Sequence, residues 1–265
     1  MNCVDFDKHF ESYVRQWSKE NMARYKNVDA MEADIPEVYL RWLNAPGNYF
    51  AQFDDAKFLC KWLCDYVKKK VPVPDQLLER ITELGEASVP HLLDIAARKE
   101  AASEVRMTAI GLLREMERVE PMDLYISWLA SGQDMDELAE NGAESLKNMG
   151  GRVIEPLLKA YETASPSARE CIADILCDYP EEKRVLPLLL GLMDTSKNVA
   201  LIASYIAKFG DAQALPRMMQ ALEDPAINYL DYVEIANAVR ALGGEIGEER
   251  SFEGDPYYES MKQLG

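Results

Sequence analysis

Val89-Pro90-His91-Leu92-Leu93, Glu120-Pro121-Met122-Asp123-Leu124, Glu155-Pro156-Leu157-Leu158, Leu186-Pro187-Leu188-Leu189-Leu190 and Leu215-Pro216-Arg217-Met218-Met219 set a proline near the head of five apolar stretches, at intervals of 31, 35, 31 and 29 residues. Proline suits a first helical turn, where its missing N–H would have had no partner in the helix and its fixed φ is already helical. Gly85, Gly150-Gly151, Pro180 and Gly210 come shortly before four of these prolines and supply a break that ends the preceding helix. Each interval therefore reads as helix, turn, helix, turn.

The second helix of each unit repeats as well. Val105, Ala168 and Val199 are followed four positions later by Ala109, Ile172 and Ala203, and seven later by Leu112, Ile175 and Ile206. Eight positions on come Leu113, Leu176 and Ala207, completing one apolar stripe at helical spacing. Repeat two fits loosely through Leu138, Gly142 and Leu146, and repeat five allows two registers among Val233, Ile235 and Val239. Neither helix of such a pair can bury its stripe alone, so successive hairpins are expected to stack. The predicted fold is all-α, a right-handed α-solenoid of about five helical hairpins over residues 76–245.

Leu84-Gly85-Glu86-Ala87-Ser88-Val89-Pro90-His91-Leu92-Leu93, followed by Glu104-Val105-Arg106, resembles the HEAT-like repeat of phycobilin lyases. Arg169 matches that family's arginine early in the second helix, and Asp194 and Asp224 match its aspartate at the turn between helices. Repeat two lacks both, repeat four has Ala200 in place of the arginine, and repeat one has Arg98-Lys99 where the aspartate falls. The resemblance implies the fold over roughly residues 76–245. It says little of activity, because the family includes chromophore lyases, a DNA glycosylase, a hydroxylase and many binding scaffolds.

Residues 1–75 lack the proline period but carry helical stripes, Phe6-Phe10-Tyr13-Val14-Trp17 and Phe58-Leu59-Trp62-Leu63-Tyr66-Val67. The second stripe is predicted to start at Asp54 as N-cap and to end at Lys68-Lys69-Lys70, and Asp75 is predicted to cap the helix after Val71-Pro72-Val73-Pro74. This region reads as a helical cap on the first repeat. After Gly243-Gly244, residues 246–265 hold five acidic and two basic side chains and read as an extended or loosely docked acidic tail.

Composition narrows the chemistry. The chain has 46 acidic and 29 basic residues, a formal charge of -17, which disfavours a nucleic-acid partner. The start of the sequence has no basic region or apolar core, and the longest apolar stretch, Val185 to Met193, is far shorter than a membrane span, so a cytoplasmic protein without membrane contact is expected. Five cysteines fit reduced thiols; Cys60 and Cys64 share a helix face, a spacing that packing explains better than metal. Only His9 and His91 could serve as imidazole base, and neither is followed by Glu as di-iron hydroxylases of this kind require. No phosphate loop is present, and no cofactor or metal is expected.

Charge is distributed unevenly: residues 1–75 hold 12 acidic and 11 basic side chains, whereas residues 76–245 hold 29 and 16. Positions two, six and nine after the register residue of each second helix should face away from the core, on the concave side of a solenoid. They are Glu140, Glu144 and Lys147 in repeat two, and Glu170, Asp174 and Cys177 in repeat three, with Asp178 alongside. Met107, Gly111 and Arg114 in repeat one, and Leu201, Tyr205 and Lys208 in repeat four, flank them. The expected partner is a protein or peptide with basic residues between apolar anchors, bound by Glu140, Glu144, Glu170, Asp174, Asp178 and Tyr205 without catalysis. A solvated acidic surface that keeps a protein in solution is the bland alternative. The competing function is a small-molecule or bilin-handling lyase on the same fold, which would need a pocket lined by convergent polar groups.

Overall fold

A computed structural model describes residues 3–45, 50–131, 137–247 and 250–264. Among them there is no β-strand, and helices make the fold. No helix among them is long and apolar enough to cross a membrane. The chain divides into two compact units, residues 1–121 and 122–265.

The amino-terminal unit contains α1 (Phe6–Asn21), α2 (Val28–Glu32), α3 (Ile35–Leu43), α4 (Ala56–Lys68), α5 (Asp75–Glu83), α6 (Val89–Ala97) and α7 (Ser103–Glu115). Asp5 caps α1 by accepting from the Lys8 N–H at 3.2 Å. The stripe of α1 meets α3 through aromatic rings: Phe10 lies 4.8 Å from Tyr39 and 5.2 Å from Trp42, centre to centre. Two capping expectations are corrected. Asp55, not Asp54, caps α4, because its carboxylate is the one that reaches the Phe58 N–H, at 3.0 Å. Asp75 is already inside α5; the Pro74 carbonyl takes the Leu77 N–H at 3.0 Å, and the carboxylate instead faces the positive end of the helix dipole. The proline-headed α6 pairs with α7 and also touches α4. Ser88, fully buried, gives its hydroxyl proton to the Ile81 carbonyl at 2.7 Å and fixes the α5–α6 connection.

The carboxy-terminal unit holds α8 (Met122–Ser131), α9 (Glu137–Lys147), α10 (Ile154–Thr163), α11 (Pro166–Leu176), α12 (Val185–Thr195), α13 (Val199–Phe209), α14 (Leu215–Leu222), α15 (Tyr229–Ala241) and α16 (Pro256–Leu264). Pro156, Pro187 and Pro216 all fall in the first turn of a helix, and Pro121 immediately precedes one. The pairs α8–α9, α10–α11, α12–α13 and α14–α15 each pack together, and the second helices meet in chain order, α9 against α11, α11 against α13, α13 against α15. The apolar stripe is the packed face: Ile172, Ile175 and Leu176 on α11 and Ile202, Ala203 and Ile206 on α13 are fully buried. Repeat five resolves its register on Tyr232, Ile235, Ala236 and Val239, while Val233 is only half-buried.

One detail of α11 recurs from α7. Arg169 donates from Nε to the Tyr161 carbonyl and from Nη2 to the Glu162 carbonyl, both at 3.1 Å, and so satisfies carbonyls at the end of α10. Arg106, the equivalent in α7, donates to the Ala96 carbonyl at 2.9 Å near the end of α6. Gly210 ends α13 in the left-handed region, φ 81°, a conformation open to glycine at little cost. Of the two expectations for the segment after Gly244, extended or docked, the described residues follow the docked one. Phe252 is buried against Tyr229, Tyr232 and Tyr258, and Arg250 donates to the carbonyls of Asp224 and Pro225. Aromatic area in the tail and the Arg250 hydrogen bonds together hold it in place.

Candidate binding ridge on α9, α11 and α13

The ridge begins with helix periodicity. Because α9, α11 and α13 pack side by side through their apolar stripes, residues offset from those stripes come to lie across from one another on the neighbouring helices. Lys147 Nζ on α9 stands 2.7 Å from Asp174 Oδ2 on α11. Lys208 on α13 stands 2.7 Å from Asp178 Oδ1 and 4.0 Å from Asp174 Oδ1. Asp174 is thus held between two lysines from two different helices. Its hydrogen bond, with the nearby negative charge, raises the Lys147 pKa against the effect of partial burial. Burial lowers that of Lys208, but Asp178, Cys177 and Asp174 outweigh it and the net direction is upward.

Glu170, one turn earlier on α11, does something else. It accepts the Ser196 hydroxyl at 2.6 Å, and Asn198 Nδ2 lies 3.5 Å from its other oxygen. The Asn198 N–H in turn donates to Ser196 Oγ at 2.8 Å, so Glu170 braces the turn that joins α12 to α13. Glu140 and Glu144 are exposed on α9 and join no ion pair among the described residues. The six residues picked from the sequence therefore divide: Asp174 and Asp178 are paired, Glu170 is a brace, Glu140 and Glu144 are open to solvent, and Tyr205 is half-buried on α13.

Burial pushes the Tyr205 hydroxyl pKa well above the ordinary tyrosine value, and the negative charge of Asp174 adds to it. Cys171 and Cys177 lie in the same environment; burial lifts each thiol from 9.0 to about 11. Both are protonated at neutral pH and are weak nucleophiles. Cys177 departs from its expected place facing solvent: it is 1% exposed, and its thiol donates to the Asp174 carbonyl at 3.0 Å. It follows the last residue of α11, where the chain turns inward and leaves Asp178 as the exposed neighbour. Met107 and Gly111 are half-buried and Arg114 is exposed on α7, in the amino-terminal unit.

Sequence reasoning missed the ion pairs and the Ser196–Asn198 contact. A signal for the first was present: Lys147 and Lys208 hold the same repeat position on the helices flanking α11, where the equivalent Cys177 stands between Asp174 and Asp178. Nothing comparable marked Ser196. Among the described residues, no group of three or more His, Cys, Asp or Glu is placed to hold a metal. The sequence matches no protein-family model and no curated protein.

Proposed function

We propose that the chain is a HEAT-like α-solenoid acting as a non-catalytic scaffold, and that the α9–α11–α13 face binds a protein or peptide segment in which basic residues alternate with apolar ones. The observation that carries the reading is the uncompensated charge of that face. Five carboxylates meet two lysines there, and two of them, Glu140 and Glu144, are exposed on one helix and join no ion pair among the described residues. They sit four residues apart, one helical turn, so a single basic side chain could approach both. Leu201, 40% exposed, and the half-buried Tyr205 offer apolar contact on α13. The ordered succession of hairpins, the first-turn prolines and the Arg106 and Arg169 carbonyl contacts support the repeat assignment.

Lys147 and Lys208 refine the partner's placement. A basic residue approaching Asp174 would have to displace a lysine already bonded there, whereas Glu140 and Glu144 require no exchange. The partner's cations should therefore settle over α9 and its apolar residues toward α13.

An array of capped peptides alternating Arg or Lys with Leu or Phe, matched to arrays with Glu in the basic positions, tests this. The full chain should be retained by the basic set, with retention falling as salt rises. Replacing Glu140 and Glu144 together by Lys should abolish it. Equal retention of basic and acidic sets, or undiminished retention by the double variant, would sink the proposal.

A further inference from the structure

A second surface in the carboxy-terminal unit has the features of a docking groove. The end of α12, the start of α13, α14 and the turn into α15 enclose an open concavity of about 560 Å³, within the usual size range of ligand sites. Its floor is apolar, with Met193 and Ile235 buried and Ile227 half-buried. Its walls carry Asp194, Glu223, Asp224 and Asp231 against one lining cation, Arg217. Arg217 is committed: its Nε and Nη2 donate to Asp194 Oδ1 at 3.0 and 2.6 Å. Glu223, Asp224 and Asp231 form no ion pair among the described residues. Asp224 uses one oxygen on the Ala226 N–H at 2.8 Å, and Asp231 one on Asn228 Nδ2 at 2.6 Å.

The spacing of these groups selects among cations. They are not grouped closely enough to hold a metal ion, so a point charge would reach no more than one or two of them. A long side chain with a delocalised or multidonor head can lie along the apolar floor and meet separated carboxylates at its end. A concave wall of one charge sign over low-dielectric material also focuses the field that attracts such a group. We propose that this groove seats one Arg side chain of an extended segment of a protein partner, with the apolar neighbour of that residue packed on the half-buried Ile227 and Val199. This goes beyond the ridge on α9, α11 and α13: it rests on the chain being a peptide-binding scaffold but uses different residues.

The probe is the capped tripeptide acetyl-Leu-Arg-Leu-amide, with acetyl-Leu-Glu-Leu-amide as control, titrated into the full chain carrying labelled Ile and Met methyl groups. Saturable shifts should appear at Ile227, Ile235 and Met193 with the Arg peptide alone. Glu223→Gln combined with Asp231→Asn, which keeps the acceptor for Asn228, should weaken binding about tenfold while the unliganded spectrum stays that of a folded chain. Glu140→Lys with Glu144→Lys should leave the groove titration unchanged. Equal shifts from the Glu peptide, shifts confined to residues outside the groove, or no weakening in the Glu223/Asp231 variant would overturn the proposal. Loss of groove binding with the ridge still active on the peptide array would remove this inference and leave the other standing.

Discussion

Replacing Asp174 should damage the fold, whereas replacing Glu144, chosen from the sequence on the same grounds, should not. Asp174 and Lys147 are 28% and 32% exposed at the side chain and 2.7 Å apart. Coulomb's law at that separation, with an effective dielectric constant of about 20, gives about 6 kcal/mol of gross attraction. Desolvation and side-chain ordering offset most of it, leaving about 1–2 kcal/mol for the pair. Asp174→Asn should therefore cost about 1–2 kcal/mol, and Asp174→Lys, which also sets a third ammonium between Lys147 and Lys208, about 3–4 kcal/mol. For a unit of this size the second value corresponds to a fall in Tm of roughly 10 °C. Glu144→Lys, on an exposed site without an ion pair, should stay within about 0.5 kcal/mol of the parent. Thermal unfolding followed by circular dichroism, with Glu140→Lys as a further surface control, gives the comparison. If Asp174→Lys and Glu144→Lys melt within a degree or two of each other, the lysine bridge is not structural, and the division of the ridge into held and free carboxylates fails.

Other outcomes follow from single contacts. A Cβ on Gly244 would fall 2.6 Å from Val239 Cγ1 and 2.7 Å from Leu215 Cδ2, so Gly244→Ala should cost about 1–3 kcal/mol, and less in a Val239→Ala background; additive costs in a denaturation cycle would contradict the steric account. Arg169→Ala removes both bonds to the end of α10 and the cation over the Tyr161 ring at 5.3 Å, for about 1–3 kcal/mol, and Arg169→Lys should restore only part because an ammonium cannot fork to two carbonyls; full rescue by Lys would refute the forked role. Cys171 and Cys177 have folded pKa values of about 11 against an ordinary 9.0, so the stability they contribute is complete below about pH 9 and is lost as pH rises toward about 11. Unfolding midpoints across that range should fall, and Cys171→Ala with Cys177→Ala should flatten the decline; an unchanged slope would argue against the buried thiols as its source.

Helix positions were legible because proline and apolar spacing act locally. A missing N–H at Pro90 or Pro216 and a stripe such as Ile172-Ile175-Leu176 constrain the chain wherever it lies. The helix starts were less legible, since Asp54 and Asp55 are equally good caps in sequence and only backbone direction separates them. Repeat five was ambiguous because Val233 looks as apolar as Tyr232, and burial of the aromatic ring depends on Phe252, far along the chain. On the ridge, which side chains face outward could be read from periodicity, but what meets them across helices could not. Glu170 is tied to Ser196 by a hydrogen bond spanning 26 residues, and no local pattern encodes it.

The Phe252 contact bears on how the chain can be shortened. Tyr229 and Tyr232 lie under that one phenyl ring, so a protein cut back at the glycine pair after α15 would bare two tyrosines on its final hairpin and leave the Asp224 and Pro225 carbonyls without their arginine. Such a truncated form should be sticky and prone to self-association, and laboratories trimming the acidic end to improve crystals would do better to stop beyond Tyr258.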